Sequence, residues 1–221
     1  MIKAVFIDYT GTIITHGGKP IEEFISRVCK SSNMKDPREF FKYWWGMVKE
    51  YEGSFVEEAY LSEDELVDKM LDQCVREIHL QENLEELHAL CQQYWMYAPI
   101  YDDVKEFFQK CPYQTYIISN NGEEYIAEAM RVNGISPTGI ITADMVKAYK
   151  PHPTLFKKAL EASGCSADEV IHIGDSVTSD VNGAKVVGIR PILLDRDSKH
   201  GALDIPVVKS LIDALEVIRQ L

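Results

Sequence analysis

Ile2-Lys3-Ala4-Val5-Phe6-Ile7 runs without a break into Asp8-Tyr9-Thr10-Gly11-Thr12, and this stretch decides how the rest of the chain is read. An apolar run of strand length that ends in a carboxylate and turns at once through Thr-Gly-Thr puts Asp8 at the C-terminal edge of a sheet. Three later segments match it: Tyr116-Ile117-Ile118-Ser119-Asn120, Tyr149-Lys150-Pro151, and Ile171-His172-Ile173-Gly174-Asp175-Ser176 with Asp180 behind. In an open parallel sheet, ligands bind in the crevice beyond the carboxyl ends of the strands. Asp8, Ser119 and Asp175 are therefore expected to face one crevice.

From Thr115 onward the pattern alternates. Strands are predicted at Thr115–Ser119, Gly139–Thr142, Val170–Gly174, Arg190–Leu194 and Val207–Val208, with helices between them at Glu123–Val132, Pro153–Ser163, Thr178–Val187 and Ser210–Leu221. Such alternation predicts an α/β fold, a doubly wound parallel sheet covered on both faces. Between Ile21 and about Tyr97 the pattern is helical instead. Pro20 opens one helix, Asp36-Pro37-Arg38-Glu39 a second, the capping box Ser62-Glu63-Asp64-Glu65 a third and Asn83 a fourth. The predicted organisation is an α/β core of residues 1–15 and 99–221 with an all-helical insert, 16–98, and hinges near Thr15–Pro20 and Ala98–Tyr101.

At 221 residues, with 46% hydrophobic and 26% charged residues, the chain has the composition of a soluble globular protein. No apolar run approaches the roughly 18 to 20 residues of a membrane span. The N-terminus enters a strand directly, without a signal-like segment, so a cytoplasmic location is expected. The five cysteines are scattered, as for reduced thiols. Net charge is −12, and residues 16–98 hold 17 acids against 9 Lys or Arg, a net −8. So acidic a surface repels phosphate backbones and excludes a nucleic-acid polymer as partner. No membrane partner is expected, and the chain is read as a monomer or homodimer.

Two acids brought close together repel each other and call for a cation. A hard divalent ion with oxygen ligands, Mg²⁺, meets that need. A carboxylate beside a metal in a crevice can act as nucleophile, for example forming an aspartyl phosphate. The Ser119 hydroxyl and neighbouring backbone N–H groups can hold the transferred group's oxygens, and Lys150, stiffened by Pro151 and Pro153, supplies positive charge against them.

In these segments the chain resembles the haloacid dehalogenase-like hydrolase superfamily. Asp8-Tyr9-Thr10-Gly11-Thr12 is similar to its first motif, Ser119 to its second and Lys150 to its third. Gly174-Asp175-Ser176-Val177-Thr178-Ser179-Asp180 looks like the fourth, its acidic metal-binding loop. The resemblance implies a Rossmann-like core, Asp8 as nucleophile, and Mg²⁺ held by Asp8, the Thr10 backbone carbonyl and Asp175. It implies phosphate contacts from Ser119, Asn120 and Lys150. Gly11, Thr12, Gly174, Ser176 and Asp180 would support the site, Asp180 ligating through water or orienting Lys150. The helical insert would be a cap of the first type that closes over the site. The implied activity is that of a phosphatase acting on a small phosphorylated metabolite.

Position 10 departs from the family's phosphatases, which carry there a second Asp that protonates the leaving oxygen. Thr10 cannot do so, and general acid–base help is worth about 10²–10⁴-fold. Phosphonate or carbon–halogen cleavage, and a weakly active phosphometabolite-binding protein, are the alternatives. Carbon–phosphorus cleavage would need a cap lysine, from Lys19, Lys35, Lys42 or Lys49. His16, near the first hinge, is a candidate replacement acid. The aromatic run Phe40, Phe41, Tyr43, Trp44, Trp45 and Tyr51, with Tyr94, Trp95 and Tyr97, is expected to be packing in the main, with some members free to line the substrate side or a dimer contact.

Overall fold

A computed structural model describes residues 1–54, 59–201 and 203–220. Six strands, β1 (Ala4–Ile7), β2 (Gln114–Ser119), β3 (Gly139–Thr142), β4 (Val170–Gly174), β5 (Arg190–Leu194) and β6 (Val207–Val208), form one sheet in the order β3-β2-β1-β4-β5-β6. Every pairing is parallel. Side chains alternate across β1: Val5 and Ile7 enter one core cluster, while Ala4 and Phe6 enter the other. Both faces are covered, which is why β1 reads as an unbroken apolar run. Each fully buried Phe or Ile here is worth about 1.5–3 kcal/mol of hydrophobic stabilisation.

The first four helices after β1 are α1 (Lys19–Ser31), α2 (Pro37–Ser54), α3 (Glu63–Glu77) and α4 (Leu84–Tyr97). Their starts follow from local chemistry. Asp36 Oδ1 accepts from the Arg38 and Glu39 N–H groups, the Ser62–Glu65 capping box closes α3, and Asn83 accepts from the Glu86 N–H. Leu66, Met70, Cys74 and Ile78 all lie buried. The two connections to the sheet run side by side, with an antiparallel bridge from Ile14 to Ile100 and a 2.8 Å bond from the Thr15 N–H to the Pro99 carbonyl.

The remaining helices are α5 (Val104–Lys110), α6 (Glu123–Asn133), α7 (Ala143–Val146), α8 (Pro153–Ser163), α9 (Gly183–Val186) and α10 (Leu211–Arg219). Two features differ from the sequence prediction. Short α5 and α7 were not expected. The helix predicted at Thr178–Val187 is instead a π-helical turn over Val177–Asn182 followed by α9. The Val181 N–H reaches back five residues to the Ser176 carbonyl at 3.1 Å. Such wide turns occur where a side chain must be aimed at a site, and Asp180 is that side chain. Cys29, Cys74 and Cys91 are buried, Cys111 and Cys165 half-buried, and all five are free thiols. No helix among the described residues is long and apolar enough to cross a membrane.

Candidate active site

β1 and β4 are neighbours at the point where the strand order reverses, so the residues just beyond them share one crevice. Asp8 is buried there. Its Oδ1 accepts a 2.5 Å hydrogen bond from Lys150 Nζ, and the same ammonium donates to Asp180 Oδ1 at 2.7 Å. His172, inside β4 and fully buried, faces Asp180 Oδ1 through Nε2 at 3.0 Å. The Ser176 N–H donates to the other Asp180 oxygen at 3.0 Å. Lys150 is held in turn by a 2.8 Å bond from its backbone N–H to Asn120 Oδ1, ahead of a cis peptide to Pro151.

The electrostatics follow from this packing. Burial pushes the Asp8 carboxyl up to about 7, against the opposing pull of Lys150, with Asp180 and Asp175 adding to the rise. Burial acts the same way on Asp180, but Lys150 and His172 outweigh it and hold that carboxyl well below the usual carboxylate range. Burial alone would lower Lys150, yet Asp180 and Asp8 hold its ammonium above the ordinary lysine value. His172 is kept neutral by burial, below its usual range, so its Nε2–H donates to the Asp180 carboxylate. The centre is one cation clamped between two carboxylates.

Carboxylate oxygens of Asp8, Asp175 and Asp180 lie within 4.8 Å of one another. Asp8 Oδ2 is buried with no hydrogen-bond partner among the described residues, and leaving a buried carboxylate oxygen unpaired is costly. A hard divalent cation fits this all-oxygen donor set. Gly11 makes the approach possible. It sits at φ 88°, and a Cβ there would stand 2.4 Å from Asp175 Oδ2. At Gly174 a Cβ would collide with Asp180 Cγ at 2.2 Å. Thr12 is buried among these loops, and its carbonyl accepts from Arg196. Ser176 caps the π-helical turn, its hydroxyl accepting from the Ser179 N–H.

Thr10 and Ser119 meet at a residue the sequence reading passed over. Both hydroxyls donate to Asn121 Oδ1, at 2.8 and 3.0 Å. Asn121 Nδ2 donates onward to Glu63 Oε1 at 2.6 Å, and the Gly122 N–H to Glu63 Oε2 at 3.1 Å. Glu63 comes from the first turn of α3, so a carboxyl from the helical insert plugs into the loop after β2. Burial pushes it well above the usual carboxylate range, with the Gly122 N–H opposing. Glu52, on α2, also reaches the site, and burial raises it to about 7. Neither stood out from sequence: Glu63 lies within the capping-box segment Ser62–Glu65, and Glu52 is one of several charged residues on α2.

A cavity of about 750 Å³ connects these groups with the insert. Its lining includes Asp8, Thr10, Ser119, Asn120, Lys150 and Asp175 together with Trp44 and Trp45. His16 is also at the cavity, with Nε2 3.6 Å from Asp175 Oδ2 and its ring against Trp45. Of the four lysines considered for the insert, Lys49 alone lines it among the described residues. Phe40 packs into the core beside Phe24 and Trp44, and Tyr43 donates to Glu77.

A family model for haloacid dehalogenase-like hydrolases matches residues 2–188. The chain belongs to that family. This hydrolase is 40% identical over 68 residues to haloacid dehalogenase-like hydrolase domain-containing protein 3 of Danio rerio, covering 30% of the chain and 28% of that protein. It is 34% identical over 88 residues to a glyceraldehyde 3-phosphate phosphatase of Pyrococcus furiosus, covering 37% and 36%. The chain thus matches about a third of the length of these curated relatives. Its fold is that of the L-2-haloacid dehalogenase from Xanthobacter autotrophicus, at TM-score 0.82, 18% identity and 100% coverage of both chains.

Proposed function

We propose that this hydrolase is a Mg²⁺-dependent phosphatase acting on a small phosphorylated metabolite through Asp8. The observation that carries it is the Lys150 ammonium clamped between Asp8 and Asp180 at the cavity, which leaves Asp8 Oδ2 without a hydrogen-bond partner among the described residues. Asp8 attacks phosphorus, and the bond to the leaving oxygen breaks with its electron pair on that oxygen. Water then attacks the aspartyl phosphate and frees phosphate. Ser119, Asn120 and Lys150 hold the phosphoryl oxygens, and Thr10 stands where an acid would otherwise protonate the leaving group. Asp8, the Thr10 carbonyl and Asp175 would hold Mg²⁺, with Gly11, Thr12, Gly174, Ser176 and Asp180 shaping their loops. Bound there, the ion supplies positive charge that offsets the charge gathered on the phosphoryl oxygens. Residues 16–98 act as a cap over a body of residues 1–15 and 99–221.

Support comes from the family, from a phosphatase among the relatives and from the cluster of Asp8, Asp175 and Asp180, an all-oxygen set that suits a hard divalent cation. The test is phosphate release from a panel of phosphorylated metabolites and acetyl phosphate, with Mg²⁺ or EDTA, for wild type and Asp8→Asn. Mg²⁺-dependent release with covalent phosphate on Asp8, both lost in the variant, is expected. Silence across the whole panel would end the proposal.

A further inference from the structure

The cavity that holds Asp8 has an apolar far side. The helices α2, α3 and α4 supply Trp44, Trp45, Val48, Val67, Met70 and Trp95 to its wall. Their charged groups there are Lys49, Glu52 and Glu63, and Glu63 is already spent on Asn121 and Gly122. At the rim Phe41 and Trp45 lie parallel, 3° apart with centroids at 6.4 Å, and both are more than a third exposed. A sugar or polyol seated against the Trp44, Trp45 and Met70 face of this wall would find only Lys49 and Glu52 on these helices as hydroxyl partners, and each unpaired hydroxyl costs free energy. A flat apolar group instead gains by covering it.

Thr10 points the same way by a separate route. Its hydroxyl is committed to Asn121 Oδ1, so no proton reaches the leaving oxygen from position 10. Without an acid at position 10, a leaving group that is stable as an anion is favoured. A phenol, with a pKa of about 10, qualifies far better than an alkanol.

Building on the phosphatase reading, we propose that the substrate is a phosphate monoester of a phenol-type alcohol, its ring against Trp44, Trp45 and Met70. Asp8 forms the new bond to phosphorus. The bond from phosphorus to the aryl oxygen breaks, the electron pair stays on that oxygen, and the phenolate takes its proton from solvent after release.

Four substrates test this in the presence of Mg²⁺: phenyl phosphate, benzyl phosphate, glycerol 3-phosphate and acetyl phosphate, each with wild type and Trp45→Ala. Trp45 is well exposed, so its removal spares the fold. Phenyl phosphate is expected to exceed glycerol 3-phosphate in kcat/KM by about a hundredfold. Benzyl phosphate, equally apolar but a poor leaving group, should fall about a hundredfold below phenyl phosphate in kcat/KM, which reports the step that releases the leaving group. Trp45→Ala should cut the preference for phenyl over glycerol phosphate about tenfold, through KM. Equal kcat/KM for the benzyl and phenyl esters, or no preference over glycerol 3-phosphate, would overturn the proposal. If acetyl phosphate is hydrolysed in that case, the phosphatase reading survives and only the substrate class falls. If acetyl phosphate is inert as well, the underlying reading falls with it.

Discussion

Lys150 sits buried between two carboxylates, and removing it should expose how much the fold depends on that clamp. Lys150→Met leaves Asp8 and Asp180 facing each other uncompensated, which is expected to cost about 3–5 kcal/mol in urea unfolding. A cost below about 1 kcal/mol would show that one acid simply takes up a proton. Thr10→Asp should raise the turnover of alkyl phosphates, by up to the roughly 10²–10⁴-fold that general acid catalysis supplies. The gain requires the Asn121 amide to turn its Nδ2 toward position 10, away from Glu63. No gain in steady-state kinetics would place the limit elsewhere. Asp8, Lys150 and Asp175 could be read from the sequence only in combination. Each alone is a turn former at a strand end or a solvated lysine, and their shared crevice follows from standing together at strand ends and beside a proline. Asn121 was not legible: it follows Asn120, an identical side chain, and only the turn after β2 decides that one grips Lys150 and the other gathers Thr10, Ser119 and Glu63.

At the scale of elements, the start of α3 serves two purposes. Its first turn closes a capping box on Ser62 and at the same time sends Glu63 into the loop before α6. The folded-state pKa of Glu63 is raised, so its proton stabilises the fold fully below the unfolded carboxyl value of about 4.3. That contribution disappears as pH rises through the folded value. Glu52, Asp64 and the Gly122 and Asn121 donors are the groups around it. Glutamine has no such proton to lose, so the Tm of Glu63→Gln relative to wild type is expected to climb as pH rises above the unfolded carboxyl value of about 4.3. A constant difference would mean that Glu63 is ionised throughout. The π-helical turn at Val177–Asn182 carries the same lesson. Local pattern gave a helix there, but the wide turn arises because Asp180 must meet Lys150, His172 and the Ser176 N–H together.

For the whole molecule, the insert and the sheet are joined by more than their two connections. Tyr125 donates to Asp64, Tyr60 to Asp144 and Tyr149 to the Leu61 carbonyl, so the start of α3 is fastened to the sheet side at several points. One apolar cluster runs through both parts. Binding of Mg²⁺ at the acid cluster should raise stability by about 2.7 kcal/mol at a concentration a hundred times Kd. Gly11→Ala, which drives a Cβ into Asp175, should abolish that gain. Thermal melts with Mg²⁺ and with EDTA measure both, and an Mg²⁺ response that persists in the variant would remove Asp175 from the ion site.

The chain's periodicity determined the strands, the helical insert and the acids at the strand ends, because each is fixed by neighbours within a few residues. Tertiary structure decided what those acids touch. Burial raises Asp8 and Asp180 alike, but Lys150 and His172 reverse the shift at Asp180, and residues 58 and 111 positions apart bring Glu63, Asn121 and Thr10 together. Free energies of that kind depend on desolvation and distance in the folded chain, which no spacing along the sequence encodes.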